Sequence, residues 1–360
     1  MTPFAFAQAP LFVCFGAGTL GRLPDALRAC DGSRPLLVAA PSQRAVVARA
    51  EALLGPGFAG RFDGVAPHVP GTAVEALAAL GREREADVLV ALGGGSAIDL
   101  CKAAAAGTAM RVLAVPTTYG GSELTMHAGR TDGGNKSPVV SGAPRAVVYD
   151  PELTYDLPAR AGAGSAMNAL AHCVEALYAP RPQPLALLAA EEGLRRIPPA
   201  LRATTAAPRE PEARAELLFG AYLAAVALAG SGMALHHRIC HILGGRYGIA
   251  HGDANAVILP HAARFNAPAA PEALALVARA LGVDDAAAGL ARLARDAGAA
   301  LSLQELGLDR AEFPTIAELA LAQPLVNPRP VERADVVALL DRAWMPFDHD
   351  LEARPLSART

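Results

Sequence analysis

Four short apolar runs mark the first third of the chain: residues 11–15 (LFVCF), 35–40 (PLLVAA), 87–92 (DVLVAL) and 111–115 (RVLAV), each ended by Gly or Pro. Between them lie Ala/Leu/Arg/Glu stretches of helical period, such as 42–54 and 71–85. Runs of this length suit strands buried on both faces, and strands alternating with helices pair in parallel because each helix carries the chain back across the sheet. The first half is therefore predicted to be an α/β domain built on a parallel sheet. The texture changes at YDPELTYDLP (149–158), after which the chain is Ala/Leu-rich and helix-like, broken at Pro180, Pro198–Pro199, Gly230–Gly232 and Gly244–Gly245. These features predict an α/β domain over 1–153 and an all-helical domain over 154–360. Residues 323–334 read as a loop before a last helix near 335–343.

Composition narrows the function class. A net charge of −3 with both signs dispersed argues against a nucleic-acid surface, so an anionic substrate must meet local cations. The five cysteines (Cys14, Cys30, Cys101, Cys173, Cys240) form no CxxC pair, which suits free thiols in a reducing cytoplasm. The N-terminus lacks a basic segment before an apolar stretch, and no run is read as long enough to span a membrane; a soluble, cytoplasmic protein is expected.

Two glycine motifs compete for a phosphate. Gly16-Ala17-Gly18-Thr19-Leu20-Gly21 follows a strand, but 35–43 lacks the acid that a dinucleotide fingerprint places some 20 residues later. A tight turn explains it more simply. Leu92-Gly93-Gly94-Gly95-Ser96-Ala97-Ile98-Asp99 is better placed, with a strand before it and a helix after it. Ser96 is expected as N-cap with Asp99 three residues on, and the helix N-terminus would favour a pyrophosphate. Thr117 and Thr118, in VPTTYGGSE at the end of another strand, lie where open α/β sheets bind ligands.

The chemistry concentrates in histidines. Five of nine fall between His236 and His261. His237 and His241 stand four apart, as do Asn168 and His172, so each pair shares a helix face. With His251 these residues have the layout of a metal-ligand set, except that Asn168 puts a neutral amide where an acid would offset a divalent charge. His236 should face about 100° away from His237, and His261 reads as structural.

Taken together, GGGSAIDLCK, PTTYGGSE, a lysine at 136, YDPELTYDLP, NALAH, HHRICHILGG and AHGDANAVILPH resemble the iron-containing alcohol dehydrogenase superfamily in order and spacing over roughly residues 10–270. Within it the likeness is strongest to the maleylacetate-reducing branch. The resemblance implies a dehydroquinate synthase-like architecture with a dinucleotide-binding N-terminal domain and an active site in the cleft between the two domains, a homodimer, and NADH- or NADPH-dependent reduction of a carbon–carbon double bond during aromatic-compound breakdown, giving 3-oxoadipate. Carried over by residue, it implies that Gly93, Gly94, Gly95, Ser96 and Asp99 bind pyrophosphate, Thr117 and Thr118 the nucleotide, and Lys136 the nicotinamide ribose. His172, His237 and His251 would stand at metal-ligand positions of the metal-dependent relatives, with His241 beside the nicotinamide. Asn168 agrees with the metal-free branch, so no metal is expected. The alternative is an iron- or zinc-dependent alcohol dehydrogenase of the same superfamily.

An enone needs less activation than a ketone or alcohol. Hydride delivered β to the carbonyl leaves an enolate that imidazole and amide donors can stabilise without a Lewis acid. Tyr119 is a further candidate donor. Lys136, Arg130, Arg238 and Arg246 are the nearby cations for a dicarboxylate. Because the second strand ends in Ala39-Ala40-Pro41-Ser42 with Arg44 beyond, NADPH is expected to be accepted alongside NADH.

Overall fold

The computed structural model describes residues 11–348 apart from 134, 181 and 182. Its first half alternates β1 (Phe12–Phe15), α1 (Leu23–Ala29), β2 (Pro35–Ala39), α2 (Arg44–Leu54), β3 (Gly60–Phe62), α3 (Gly71–Glu83), β4 (Val88–Gly93), α4 (Gly95–Ala105) and β5 (Arg111–Pro116). A hairpin follows, β6 (His127–Asp132) and β7 (Asn135–Val140), then β8 (Ala146–Tyr149). The six-stranded sheet is wholly parallel, in order β1-β8-β5-β4-β2-β3, while β6 and β7 pair antiparallel apart from it.

Strand periodicity sets the layers. Leu36, Val38, Leu89, Ala91, Val112, Ala114 and Val147 enter one core with α3 and α4, whereas Leu37, Ala39, Val88, Val90, Leu92, Leu113, Val115 and Val148 enter another with α1 and α2. Both faces are covered, which is why the strands read as continuous apolar runs rather than alternating ones. The strand order reverses between β2 and β4, so the carboxyl ends of these strands open a crevice beside the β4–α4 turn.

After Tyr149 the described chain forms no further strand. The helices are α5 (Ala159–Leu177), α6 (Pro184–Ala206), α7 (Pro211–Ser231), α8 (Leu235–Tyr247), α9 (His251–Asn266), α10 (Pro271–Leu281), α11 (Ala286–Asp296), α12 (Phe313–Leu321) and α13 (Arg333–Ala343). The expectation that no run reaches membrane-spanning length needs correcting: α7 has 21 residues with a mean hydropathy of 1.4 over its most apolar window. Alanine-rich packing accounts for it, since Leu217, Leu218, Ala221, Ala224 and Ala225 are buried where α7 packs on α5 and α6.

The first glycine motif is a turn whose donors are already used. Asp150 accepts from Gly18 N at 3.2 Å and Leu20 N at 3.0 Å, tying the segment after β1 to the end of β8. The expected cap at the second motif is not formed. The N-cap of α4 is Gly94, with no side-chain cap, and Ser96 lies inside the helix.

Candidate active site

Helix α5 carries Asn168, His172 and Glu175 at i, i+4 and i+7, so all three lie along one stripe. Helix α8 carries His237 and His241 in the same way, and His251 is the first residue of α9. Two glycines let these helices meet. A Cβ on Gly164 would stand 2.8 Å from the backbone carbon of Gly252, and one on Gly252 would stand 2.9 Å from that of Gly164, so α5 and α9 touch backbone to backbone. That contact brings the N-terminus of α9, and His251 with it, to the histidines.

The rings converge. His172 stacks on His237 with centroids 4.6 Å apart and planes 13° from parallel. His241 and His251 each lie 6.3 Å from His237 and 5.5 Å from one another. Gly121, at φ +86°, lies under His172, where a Cβ would come within 3.2 Å of the ring.

Asn168 is fixed from both ends: its Nδ2 donates to Gly120 O at 3.1 Å, which turns Oδ1 toward His237 Nε2 at 3.3 Å. On the other ring edge, His237 Nδ1 lies 2.7 Å from Glu175 Oε2. An amide oxygen and a carboxylate both accept, so each ring nitrogen of His237 faces an acceptor. Glu175 was missed by sequence reasoning, although its spacing from Asn168 and His172 was visible in NALAHCVEAL. Burial alone would raise its carboxyl. The charge and hydrogen bond of His237, the charge of His236 and a backbone N–H at Ala234 outweigh that and bring it below the ordinary carboxylate range.

His236 does not lie apart from the cluster as expected. Its Nδ1 is 3.2 Å from His237 Nδ1 and its Nε2 is 3.2 Å from Asn255 O, so a fully buried ring braces its neighbour. Helical geometry turns the side chains apart, but α9 closes over both. Burial first, then the charge of His237, pushes His236 down to about 3. Burial, with the neighbouring imidazoles, drives His172 well below its ordinary value and keeps it neutral; its buried Nδ1 has no hydrogen-bond partner.

The Tyr119 side chain is buried, and its hydroxyl accepts from Arg214 Nη1 at 2.9 Å, which ties the phenol oxygen to α7 and leaves its O–H as a donor. Its backbone N–H donates to Ser165 Oγ at 2.9 Å, and this holds the loop after β5 against α5.

The crevice beside the β4–α4 turn is built from backbone. Gly93 has φ +152°, Gly94 abuts Thr118 so closely that a Cβ would stand 2.9 Å from Cγ2, and Gly95 opens α4 with free space where a side chain would be. Such a turn at a helix N-terminus suits a pyrophosphate. Thr117 accepts from Gln43 Nε2 at 2.9 Å, a bond that links the loop after β5 to the segment after β2. Asp99 departs from its expected role. Its carboxylate accepts from Ser122 Oγ, from Lys102 Nζ at 3.4 Å and from Gly129 N at 3.4 Å, and so anchors the loop before the hairpin. Buried Lys102, another residue missed from sequence, also donates to Ser122 O and Thr125 Oγ1, each at 2.9 Å. Lys136 pairs with Thr131 across β6 and β7; its side chain lies outside what the structure describes.

A divalent cation among these imidazoles would need an anionic oxygen beside it. Asn168 presents a neutral oxygen already engaged by His237, and Glu175 spends its carboxylate on His237 Nδ1, Ala234 N and His236 N. The ligand atoms of Glu175, His236 and His237 lie within 4.8 Å of one another, but they form a hydrogen-bonded network. This donor set fits a divalent ion poorly.

Two family models match the chain: iron-containing alcohol dehydrogenase over residues 10–151, and the C-terminal part of the Fe-containing alcohol dehydrogenase family over 162–344. A maleylacetate reductase of Sphingobium indicum is 41% identical over 342 residues, covering 94% of this chain and 97% of the relative. Among solved structures, the maleylacetate reductase of Rhizobium sp. strain MTP-10005 is 38% identical with a TM-score of 0.89, covering 99% of this chain and all of that one. An iron-containing alcohol dehydrogenase of Corynebacterium glutamicum is 35% identical, also with a TM-score of 0.89, covering 98% of this chain and 100% of its own.

Proposed function

The chain belongs to the iron-containing alcohol dehydrogenase family, and within it we propose that it works as a maleylacetate reductase that uses NADH or NADPH and needs no metal ion. The substrate is a dicarboxylate whose double bond is conjugated to a ketone. When bound, the dinucleotide supplies the hydride, which forms a C–H bond at the carbon β to that ketone as the double bond's electron pair moves to the enolate oxygen. A proton then adds at the α carbon and 3-oxoadipate is formed.

The residues divide this work. Gly93–Gly95 and the N-terminus of α4 hold the pyrophosphate, with Ser96 at the first turn and Thr117 and Thr118 along the nucleotide; Lys136 is assigned to the nicotinamide ribose. His237 is fixed in orientation between a carboxylate and an amide oxygen, preorganised beside the charge that develops on the enolate. His172, neutral and with an unpartnered nitrogen, offers hydrogen-bonding capacity to the substrate. His241 and His251 complete the pocket, His241 on the nicotinamide side, and an imidazole relays a proton from solvent to the α carbon.

The observation that carries the metal-free reading is the contact of His237 Nε2 with Asn168 Oδ1, because it occupies the nitrogen and the oxygen that would otherwise face a cation. The free thiols suit the reducing cytoplasm in which the reaction is placed, and a homodimer is the assembly to check by sedimentation. The deciding experiment is NADH consumption with maleylacetate by chelator-treated protein. Activity is expected to survive treatment; its loss, restored by iron or zinc, would assign the chain to the metal-dependent alcohol dehydrogenases instead.

A further inference from the structure

His68 and Val69 are consecutive non-glycine residues in the left-handed region, at φ +61° and +54°. Histidine tolerates that region better than most residues, but a β-branched valine there is a true outlier, and such strain persists only where the surroundings enforce it. Here they do. Thr131 Oγ1 donates to His68 O at 2.6 Å, Thr131 N donates to Val69 O at 2.9 Å, and Val69 is buried in the core. The segment follows β3 and precedes α3, so it lies at the carboxyl edge of the parallel sheet, the same edge as the Gly93–Gly95 turn.

The consequence of this backbone is the position of the ring. A Cβ on Gly244 would stand 3.4 Å from His68 Cε1 and Nδ1, so the imidazole rests on the bare backbone of α8. Residues 237, 241 and 244 are i, i+4 and i+7 on that helix and share one stripe. His68 therefore reaches from the nucleotide-binding half onto the stripe that carries His237 and His241, next to the latter.

The cations named for the dicarboxylate are partly engaged elsewhere. Arg130 is clamped by Asp132 at 2.7 Å and Glu75 at 2.8 Å, and Arg238 Nη2 donates to Pro324 O at 3.1 Å. Resting on the reductase reading above, we propose that His68 is a specificity-determining residue that hydrogen-bonds one carboxylate of the dicarboxylate substrate. The strained loop and its bond to Thr131 hold the ring against α8, and Gly244 makes room for it.

The test is a pair of substitutions. His68→Gly suits the backbone and removes the ring; His68→Asn suits the left-handed region and keeps a donor. With His68→Gly, KM for maleylacetate should rise on the order of tenfold or more, with KM for NADH and kcat within about twofold of the parent. The inhibition constant of adipate should rise by the same factor while that of hexanoate does not move. His68→Asn should recover part of the loss. A folded His68→Gly protein with unchanged KM and unchanged adipate inhibition would overturn the proposal. If that variant does not fold, Gly244→Val, which displaces the ring from the α8 side, must give the same pattern, and unchanged constants there overturn it equally. Should the parent fail to consume NADH with maleylacetate, the reductase reading falls by itself; calorimetric adipate binding, expected to be about tenfold weaker in His68→Gly, still decides the role of His68, and equal binding rejects it.

Discussion

Glu175 Oε2 and His237 Nδ1 lie 2.7 Å apart with each side chain 1% exposed, so the acid of this pocket acts on the far edge of an imidazole and not at the position occupied by Asn168. An acid so placed fixes the ring's orientation and its protons, as outer partners of functional histidines do. Glu175→Gln keeps the shape but removes the charge and one acceptor for the N–H groups of Ala234 and His236. The expected result is a fall in kcat of about 10- to 100-fold and a loss of stability of about 3 kcal/mol, read by steady-state kinetics and urea unfolding. A variant with parental kcat and parental unfolding midpoint would exclude Glu175 from the machinery.

Asn168→Asp tests the missing charge. The substitution places a carboxylate where Oδ1 now accepts from His237 Nε2, beside His172. The variant should take up zinc or iron with an affinity at least about tenfold above that of the parent protein, since ligand charge governs such sites. Maleylacetate reduction by the metal-free variant should fall, because an aspartate would compete with the enolate for the same donors. Metal titration followed by spectroscopy or elemental analysis reads the first effect. Equal metal affinity in variant and parent would mean that residue 168 does not control occupancy.

The sequence patterns made some parts of this molecule readable and hid others for physical reasons. The runs at 35–40, 87–92 and 111–115 became β2, β4 and β5 within a residue at each end, because strands buried on both faces have to be continuously apolar. β3 is only three residues, GRF, and the β6–β7 hairpin stands outside the main sheet with polar residues such as Arg130 and Lys136, so neither gave a hydrophobic signal. The convergence of His172, His237, His241 and His251 followed from helical spacing and family resemblance. What pairwise spacing could not supply was contact between helices. The Gly164–Gly252 crossing, His236 bracing His237, and Tyr119 turned to Arg214 all depend on how α5, α7, α8 and α9 pack. Asp99 shows the same limit: its place in GGGSAID pointed to a phosphate, whereas the fold directs it to Ser122 and Lys102.

The end of β2 supplies a test of cofactor choice. No acid follows Ala39, and exposed Arg44 opens α2, whose N-terminus lies at the crevice edge of the sheet. A 2′-phosphate there would meet a guanidinium and a helix N-terminus and no carboxylate repulsion. Arg44→Glu should lower kcat/KM for NADPH by about tenfold or more and leave the value for NADH within about twofold. Parallel kinetics with the two dinucleotides provide the check. A parent enzyme that turns over with NADH alone, or a variant that loses both equally, would remove Arg44 from nucleotide selection.

Acid stability follows from the buried imidazoles. His236 titrates near 3 in the folded protein, chiefly through burial and then through the charge of His237, against 6.5 when exposed. Between those values the unfolded chain binds a proton that the folded protein refuses, so stability rises with pH across the window and is lost as pH falls through it. His172, shifted in the same direction by burial and its imidazole neighbours, adds to the slope. Unfolding free energy measured in urea should be level just above pH 6.5, then fall toward pH 4 by about 1.4 kcal/mol per pH unit for each such histidine. His236→Asn removes one titrating group, so its curve should fall less steeply than the parent's by up to that amount, whatever its absolute stability at neutral pH. Parallel curves for parent and variant between pH 7 and 4 would mean that His236 takes up its proton while still folded, and that the brace it forms between His237 and Asn255 opens before the protein unfolds.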